Sequence, residues 1–312
     1  MLKISVIVPT YHRPKDLERC LEALKKQNRQ PDEVFVTIRE ADSETWELLA
    51  SFNHQPLPLH LIKMDASVAI GALAAMNLAI DAASGDILVF TDDDSAPHTD
   101  WLERIETHFL SDSNIGGVGG RDWVYHGTLL EDGKREVVGK VLWFGQVIGE
   151  HHLGFGEARE VDLLKGVNMS FRRTAMAGMH FDRRMRGNGA APHFELAFSL
   201  ALKRAGWKLI YDPKIAVDHF PGQRFDEDQR NRFNDIAFFN SVHNETLILL
   251  ENLPLIRRNI FIFWAILVGT REAPGFLQWL RFIPKEGSLA GEKLRASLRG
   301  RREAWKTWQE SK

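Results

Sequence analysis

The stretch that decides the fold is Gly85 to Pro97, GDILVFTDDDSAP. An unbroken apolar run, Ile87 to Phe90, is followed almost at once by Asp92, Asp93 and Asp94. A continuous apolar run suits a strand covered on both faces, whereas adjacent carboxylates cannot be buried without compensation. The segment therefore reads as a central strand whose carboxyl end opens into a polar site. In parallel sheets flanked by helices, ligands gather beyond the carboxyl ends of the strands. Oxygen ligands at this density suit a hard divalent cation, Mn²⁺ or Mg²⁺, held by one or two carboxylates with water and phosphate oxygens completing the shell. The plain alternative is a solvated acidic loop in which Asp94 or Ser95 caps a helix.

Upstream, β-α alternation supports the central strand. Lys3 to Val8 is rich in β-branched residues, Pro9-Thr10 ends it, and Lys15 to Lys26 carries Leu17, Leu21 and Leu24 at helical spacing. Strand Glu33–Ile38, helix Glu44–Phe52, strand Leu59–Met64 and helix Val68–Ala83 follow. Such alternation builds a Rossmann-like parallel sheet with helices on both faces. Polar residues at three strand ends become site candidates: Thr10 to Arg13, Arg39 to Ser43, and Thr91 to Ser95.

Downstream of Asp100 the alternation weakens, predicting a mixed, partly antiparallel half. A strand is expected around Gly116–Gly120, where Gly119 and Gly120 allow close backbone approach, and another over Gly166–Phe171. A helix over Phe194–Ala205 stopped by Gly206, and two short strands at Lys208–Tyr211 and Ala216–Asp218, complete the half. Turn chemistry at Pro221-Gly222 sets a boundary: a domain over 1–221, divided into an alternating half 1–98 and a mixed half 99–221, then a helical appendix over 222–312.

Composition narrows the function classes. With 40 Lys+Arg against 42 Asp+Glu, no global basic field draws the chain to nucleic acid. The single Cys20 sits at helical spacing among leucines, so a disulfide framework or cysteine metal cluster is excluded and a buried thiol is expected. No secretory signal pattern precedes the first strand, which places the expected site of action in the cytoplasm.

The chain resembles the inverting family-2 glycosyltransferases of the GT-A fold from Val6 to about His219. The matching segments are Pro9-Thr10-Tyr11-His12-Arg13 after the first strand, GALAAMNLAI over Gly71–Ile80, GDILVFTDDDSAP over Gly85–Pro97, GVNMSFRR over Gly166–Arg173, and ELAFSLALKRAGWKLIYDP over Glu195–Pro213. The resemblance implies a nucleotide-diphospho-sugar transferase with a mixed central sheet. It implies a donor site drawing on Pro9, Thr10, Tyr11, Arg13, Arg39, Glu40, Asp42, Gly71, Asn77, Asp92, Asp93 and Asn168. It also implies Asp94 as main metal ligand and His219 as a second. Three departures are visible: Arg39-Glu40-Ala41-Asp42-Ser43 replaces an Asp-Asp-Gly-Ser pattern, Met76 stands in an arginine place, and His12 in an asparagine place.

An inverting transfer needs a base for the acceptor proton. The family's Glu-Asp pair is absent; aligning the helix start puts Pro192 and His193 in its place, with Glu195 one step beyond. Glu195 keeps carboxylate chemistry, and the imidazole of His193 can accept a proton at neutral pH. A dipole-complementing carboxylate and a structural histidine are the plain alternatives. Asn188-Gly189 beside them suits an active-site loop, and Arg224, just beyond His219 in sequence, is expected to meet the diphosphate.

In the appendix, Ile260–Val268 is apolar but short of the ~18 to 20 residues that cross a bilayer. Arg281 to Lys312 holds 9 Lys/Arg against 4 Asp/Glu, with Trp305 and Trp308 interleaved, a pattern of peripheral contact with the inner face of the plasma membrane or, as the plain alternative, of a solvated basic helix that packs its tryptophans on the catalytic domain. The leading expectation is transfer of a sugar from a nucleotide diphosphate, UDP by family resemblance, to a carbohydrate or lipid-linked hydroxyl in polysaccharide or glycolipid assembly. The alternatives are a non-catalytic carbohydrate- or nucleotide-sugar-binding relative and a metal-dependent nucleotidyltransferase. The latter would show a basic, Gly-rich loop where Pro9 to Pro14 stands.

Overall fold

The computed structural model describes every residue except 66–70, 183, 188, 190 and 223–231. The chain divides into two compact units, one formed by 1–140, 149–181 and 198–222, the other by 141–148, 182–197 and 223–312.

The first unit is organised by a ten-stranded sheet. Its strands are β1 (Ile4–Pro9), β2 (Glu33–Arg39), β3 (Leu59–Met64), β4 (Ile87–Phe90), β5 (Ser95–Pro97), β6 (Ile115–His126), β7 (Leu129–Leu130), β10 (Arg159–Val161), β11 (Met169–Arg172) and β12 (Lys208–His219). The short β8 (Lys140–Val141) and β9 (Val147–Ile148) form a separate ribbon. Helices α1 (Pro14–Lys25), α2 (Ser43–Ser51), α3 (Ala72–Ala82) and α4 (Trp101–Ser111) connect the early strands; the four-residue α5 (Arg173–Met176) follows β11, and α6 (Phe194–Arg204) precedes β12.

Strand order runs β10-β12-β6-β11-β4-β1-β2-β3. β3, β2, β1 and β4 are mutually parallel, while β11 inserts antiparallel between β4 and β6. This is the α/β sheet with a mixed half that the sequence predicts. The chain order reverses between β1 and β4, so Thr10–Arg13 and Asp92–Asp94 emerge side by side at the switch point, where such sheets bind ligands.

The helix assignments follow from burial. In α1, Leu17, Cys20, Leu21 and Leu24 are fully buried at i, i+3, i+4 and i+7, and Pro14 starts the helix where its missing N–H costs nothing. Burying each of those leucines contributes about 1.5–3 kcal/mol. β4 is buried at every position, as its unbroken apolar run demands.

Two sequence expectations need correction. The separate strands at Lys208–Tyr211 and Ala216–Asp218 are one strand, β12, carried past Pro213 by an irregularity in its register with β6 between Asp212 and Ala216. The tryptophans of the basic C-terminal segment do not share one outward face: Trp305 is exposed, whereas Trp308 is buried against Leu247, Leu250 and Ala304. Residues 68–70 of the expected third helix, together with Asn188 and Arg224, lie outside the described residues.

The second unit holds α7 (Asp235–Asn252), α8 (Leu255–Leu267), α9 (Phe276–Glu286) and α10 (Ser288–Glu310), with α10 packed along α7. Among the described residues, no helix is long and apolar enough to cross a membrane.

Candidate active site

The aspartate turn after β4 is built by hydroxyls and backbone. The hydroxyls of Thr91 and Ser95 lie 2.6 Å apart and share their two protons among each other and the carbonyls of Asp92, 2.8 Å from Ser95 Oγ, and Val167, 2.9 Å from Thr91 Oγ1. Phe220 N donates to the Asp94 carbonyl at 2.9 Å. These bonds fix three carboxylates in place, with Asp93 and Asp94 buried and Asp92 half-buried.

Each carboxylate has a different environment. Asp93 accepts from Thr10 Oγ1 at 2.8 Å and from Arg13 Nη1 at 3.0 Å, both from the loop after β1. Burial pushes its carboxyl up, to about 7; Arg13 pulls against that, Asp94 adds to it, and the Thr10 bond opposes it. Asp94 accepts from Gly222 N at 2.9 Å and Arg13 Nη1 at 3.2 Å through Oδ2. Its Oδ1 is buried without a hydrogen-bond partner and faces Nε2 of His219 at 3.4 Å, itself buried and without one.

The register explains the meeting: β5 pairs antiparallel with β12 so that His219 stands opposite Ser95, one residue beyond Asp94. Oxygens of Asp92 and Asp94 and a nitrogen of His219 all lie within 4.8 Å of one another. Two carboxylates and an imidazole fit a divalent cation such as Mn²⁺, and the two buried orphan atoms aimed at each other are what a shared ligand would satisfy. Burial alone would raise Asp94, yet His219 holds it down to about 2. Burial likewise opposes charge on His219, but Asp122 and Asp94 hold its proton up to about 9.

Sequence reasoning passed over Asp122 and Lys165. Asp122 is fully buried in β6; its Oδ2 accepts from Lys165 Nζ and lies 3.4 Å from Nδ1 of His219. Burial acts to raise this carboxyl, but Lys165 and His219 hold it at about 2. An acidic residue two positions after the glycine-dense run Gly116–Gly120 was the available signal, because a strand that tight has no solvated face for it.

The other candidates divide by exposure. Tyr11, two residues beyond β1, and Arg39, the last residue of the adjacent β2, stack with the guanidinium 4.0 Å from the ring centroid. Glu40 is exposed and pairs with Lys63 at 2.5 Å. Asp42 is fully buried: it caps α2 through Thr45 N at 3.2 Å and anchors His12 N at 2.7 Å. Gly71 takes a positive φ of 102° at the start of α3. Asn77 is buried and bonded to both backbone groups of Phe181, at 3.1 and 2.9 Å. Asn168 accepts from Trp101 Nε1 at 2.9 Å and donates to the carbonyls of Arg121 and Ile215. Pro9 ends β1, and Thr10 N continues the ladder to the Thr37 carbonyl at 3.2 Å.

The two base candidates belong to the second unit. Glu195 is half-buried in the first turn of α6, and His193 precedes the helix with a positive φ of 68°. His193 Nε2 meets Ser241 Oγ at 3.0 Å and lies 3.8 Å from Glu245.

The glycosyl transferase family 2 model matches residues 5–182, more than half of the chain. The chain belongs to that family. Glycosyltransferase AglE of Haloferax volcanii is 33% identical over 120 residues, 38% of each chain. The amylovoran biosynthesis glycosyltransferase AmsB of Erwinia amylovora is 24% identical over 136 residues, 42% of this chain and 44% of AmsB. The similarity thus spans well under half the length of these relatives. Among solved structures, TarS of S. aureus in complex with UDP-GlcNAc superposes with a TM-score of 0.59 at 14% identity, covering 99% of this chain and 92% of the other. Mannosyltransferase PcManGT of Pyrobaculum calidifontis, in complex with GDP-Man and Mn²⁺, gives 0.57 at 16%, covering 99% and 84%. At these identities the structural matches establish the GT-A fold.

Proposed function

We propose that this family-2 chain is an inverting glycosyltransferase that uses a nucleotide diphosphate sugar and a divalent cation. The observation that carries the reading is the convergence of Asp92, Asp94 and His219 at the carboxyl end of β4, two of them with buried, mutually facing orphan atoms. A divalent cation held there would offset the charge on a leaving diphosphate.

The chain's own residues supply the rest. Arg13, bonded to Asp93 and Asp94, ties the loop after β1 to the metal ligands. Tyr11 and Arg39 offer a flat, cationic surface suited to stacking a nucleobase. In the transfer, the acceptor oxygen bonds to the anomeric carbon as the carbon–oxygen bond to the diphosphate breaks, and the acceptor proton passes to Glu195 or His193. Glu195 is the preferred base, because it keeps the carboxylate chemistry that the family resemblance implies for this step.

UDP is the expected nucleotide, and a carbohydrate or lipid-linked hydroxyl the expected acceptor. AmsB is named for amylovoran biosynthesis, which supports a role in polysaccharide assembly. The test is thermal stabilisation by UDP or GDP with and without Mn²⁺, since ligands that bind only the native state raise its melting temperature. A metal-dependent shift in wild type that Asp94→Ala abolishes is the expected result. Metal-dependent hydrolysis of the donor sugar, kept in wild type and lost in Glu195→Ala with nucleotide binding intact, separates an enzyme from a binding relative. No nucleotide-dependent shift with metal present would overturn the reading.

A further inference from the structure

The second unit presents an apolar surface that no described residue covers. α9 runs for 11 residues without burying one, although most are apolar. Phe276, Leu280 and Ile283 fall at i, i+4 and i+7, forming one stripe, and are 43%, 55% and 39% exposed. α8 buries only Phe261 and Ala265, while Ile256, Phe263 and Leu267 stand 75%, 70% and 39% exposed. The two helices are joined tightly: Gly275 N donates to the Val268 carbonyl at 3.1 Å, and Gly269 bridges to Pro274. Trp143, 66% exposed, extends the surface, because its carbonyl accepts from Arg257 of α8 at 2.9 Å and its neighbour Phe144 packs on Trp264.

We propose that the α8–α9 hairpin is a membrane-binding surface that seats this unit on anionic lipid. Charge selects the occupant. From Leu255 to Glu286, the span of the two helices, the sequence has five Lys/Arg and two Glu, and Arg271, Arg281 and Lys285 are exposed beside the apolar residues. An isologous pairing of two copies would bring two basic rims together, whereas an anionic lipid headgroup layer complements the rim and accepts the aromatic and aliphatic face. The helices lie on the bilayer and do not span it: 13 residues of α8 extend about 20 Å, against a hydrocarbon core of about 30 Å. The surface is thus centred one helix pair earlier than the tryptophans of α10, whose Trp308 faces inward.

The test is co-sedimentation of the full chain with phosphatidylglycerol vesicles and with phosphatidylcholine vesicles, alongside a Phe263→Glu/Leu280→Glu variant. Expected are binding to phosphatidylglycerol at least tenfold tighter than to phosphatidylcholine, weakening with salt, and at least a tenfold loss in the variant at an unchanged melting temperature. Arg281→Glu/Lys285→Glu, which leaves the apolar face intact, should also weaken binding to phosphatidylglycerol. Failure of wild type to sediment with either vesicle, or equal binding by the Phe263→Glu/Leu280→Glu variant, overturns the proposal. A micromolar dimer in size-exclusion chromatography that this variant dissolves overturns it in favour of contact between copies. Nucleotide-dependent stabilisation is measured on the same samples, so failure of the donor-site reading is told apart from failure at this surface.

Discussion

Asp122 Oδ2 lies 3.4 Å from Nδ1 of His219, and the opposite nitrogen of that ring faces Asp94 Oδ1 at the same distance. A carboxylate on the far side of an imidazole fixes its orientation and raises its basicity toward a metal, and losing it typically weakens affinity 10- to 100-fold. Asp122→Asn, which preserves shape, is therefore expected to weaken Mn²⁺ binding by about that factor, read as free Mn²⁺ by electron paramagnetic resonance. Affinity equal to wild type would reduce Asp122 to a partner for Lys165.

The Arg13 guanidinium bridges two buried carboxylates, Asp93 and Asp94, and is itself mostly buried. Removing one partner of a buried ion pair leaves its charge uncompensated and costs roughly 3–5 kcal/mol. Arg13→Ala should lose about that much stability in urea unfolding without metal. Part of the loss should return when Mn²⁺ is added, because the cation then compensates the same carboxylates. A variant as stable as wild type would show that Arg13 is not needed to hold the cluster.

Much of this was legible in the chain. The nucleotide-side elements could be read because their signals are local: a two-sided apolar run at Ile87–Phe90, and the spacing of Leu17, Leu21 and Leu24. The pairing of Asp94 with His219 depends on β5–β12 register across more than a hundred residues, and sequence reaches it only through family resemblance. Asn77, Asn168 and Asp42 have partners that the sequence does not display. Their residue types match a binding role, yet their polar atoms bond Phe181, Trp101 and the α2 N-terminus, which no spacing rule displays. Exposure on α8 and α9 was equally hidden, since an apolar helix reads alike whether buried or bare.

Glu33 supplies the pH dependence. Burial acts to raise its carboxyl, but hydrogen bonds from Lys3, Ser5 and Ser84 hold it at about 2 against an ordinary 4.5. A depressed carboxyl stabilises the fold above the unfolded-state value, and that contribution fades as pH falls toward the folded value. Wild type should therefore be more stable than Glu33→Gln at pH 7, with the gap closing between about pH 4.5 and 2. Urea unfolding across that range checks it; a constant gap would point to packing in place of charge.

Gly120 controls how β6 meets β12. A Cβ there would sit 1.8 Å from the Ile215 carbonyl, whereas a Cβ at Gly149 meets nothing within 4 Å. Gly120→Ala must move backbone and should cost more than about 3 kcal/mol, the upper range for overpacking. Gly149→Ala should stay within about 0.5 kcal/mol of wild type. Thermal melts of the two variants make the comparison, and equal melting temperatures would mean that β12 yields easily.

Asn244 pins the segment ahead of the two base candidates. Its side chain is fully buried in α7, accepts from Arg186 N at 2.9 Å, and donates to the carbonyls of Arg186 and Pro192 at 2.8 and 3.1 Å. The next residue, His193, holds a positive φ that few side chains adopt without support. Asn244→Ala removes these three bonds and the 3.1 Å contact of Oδ1 with His243 Nδ1, and should cost about 1–3 kcal/mol for the buried groups left unpaired. If the segment positions a base, kcat should fall more than tenfold while Mn²⁺-dependent nucleotide binding is kept. Asn244→Asp, which retains the acceptor for Arg186 N but loses both donors, should fall between wild type and alanine. Unchanged kcat in a folded Asn244→Ala would remove this segment from the chemistry and leave the base to be sought elsewhere.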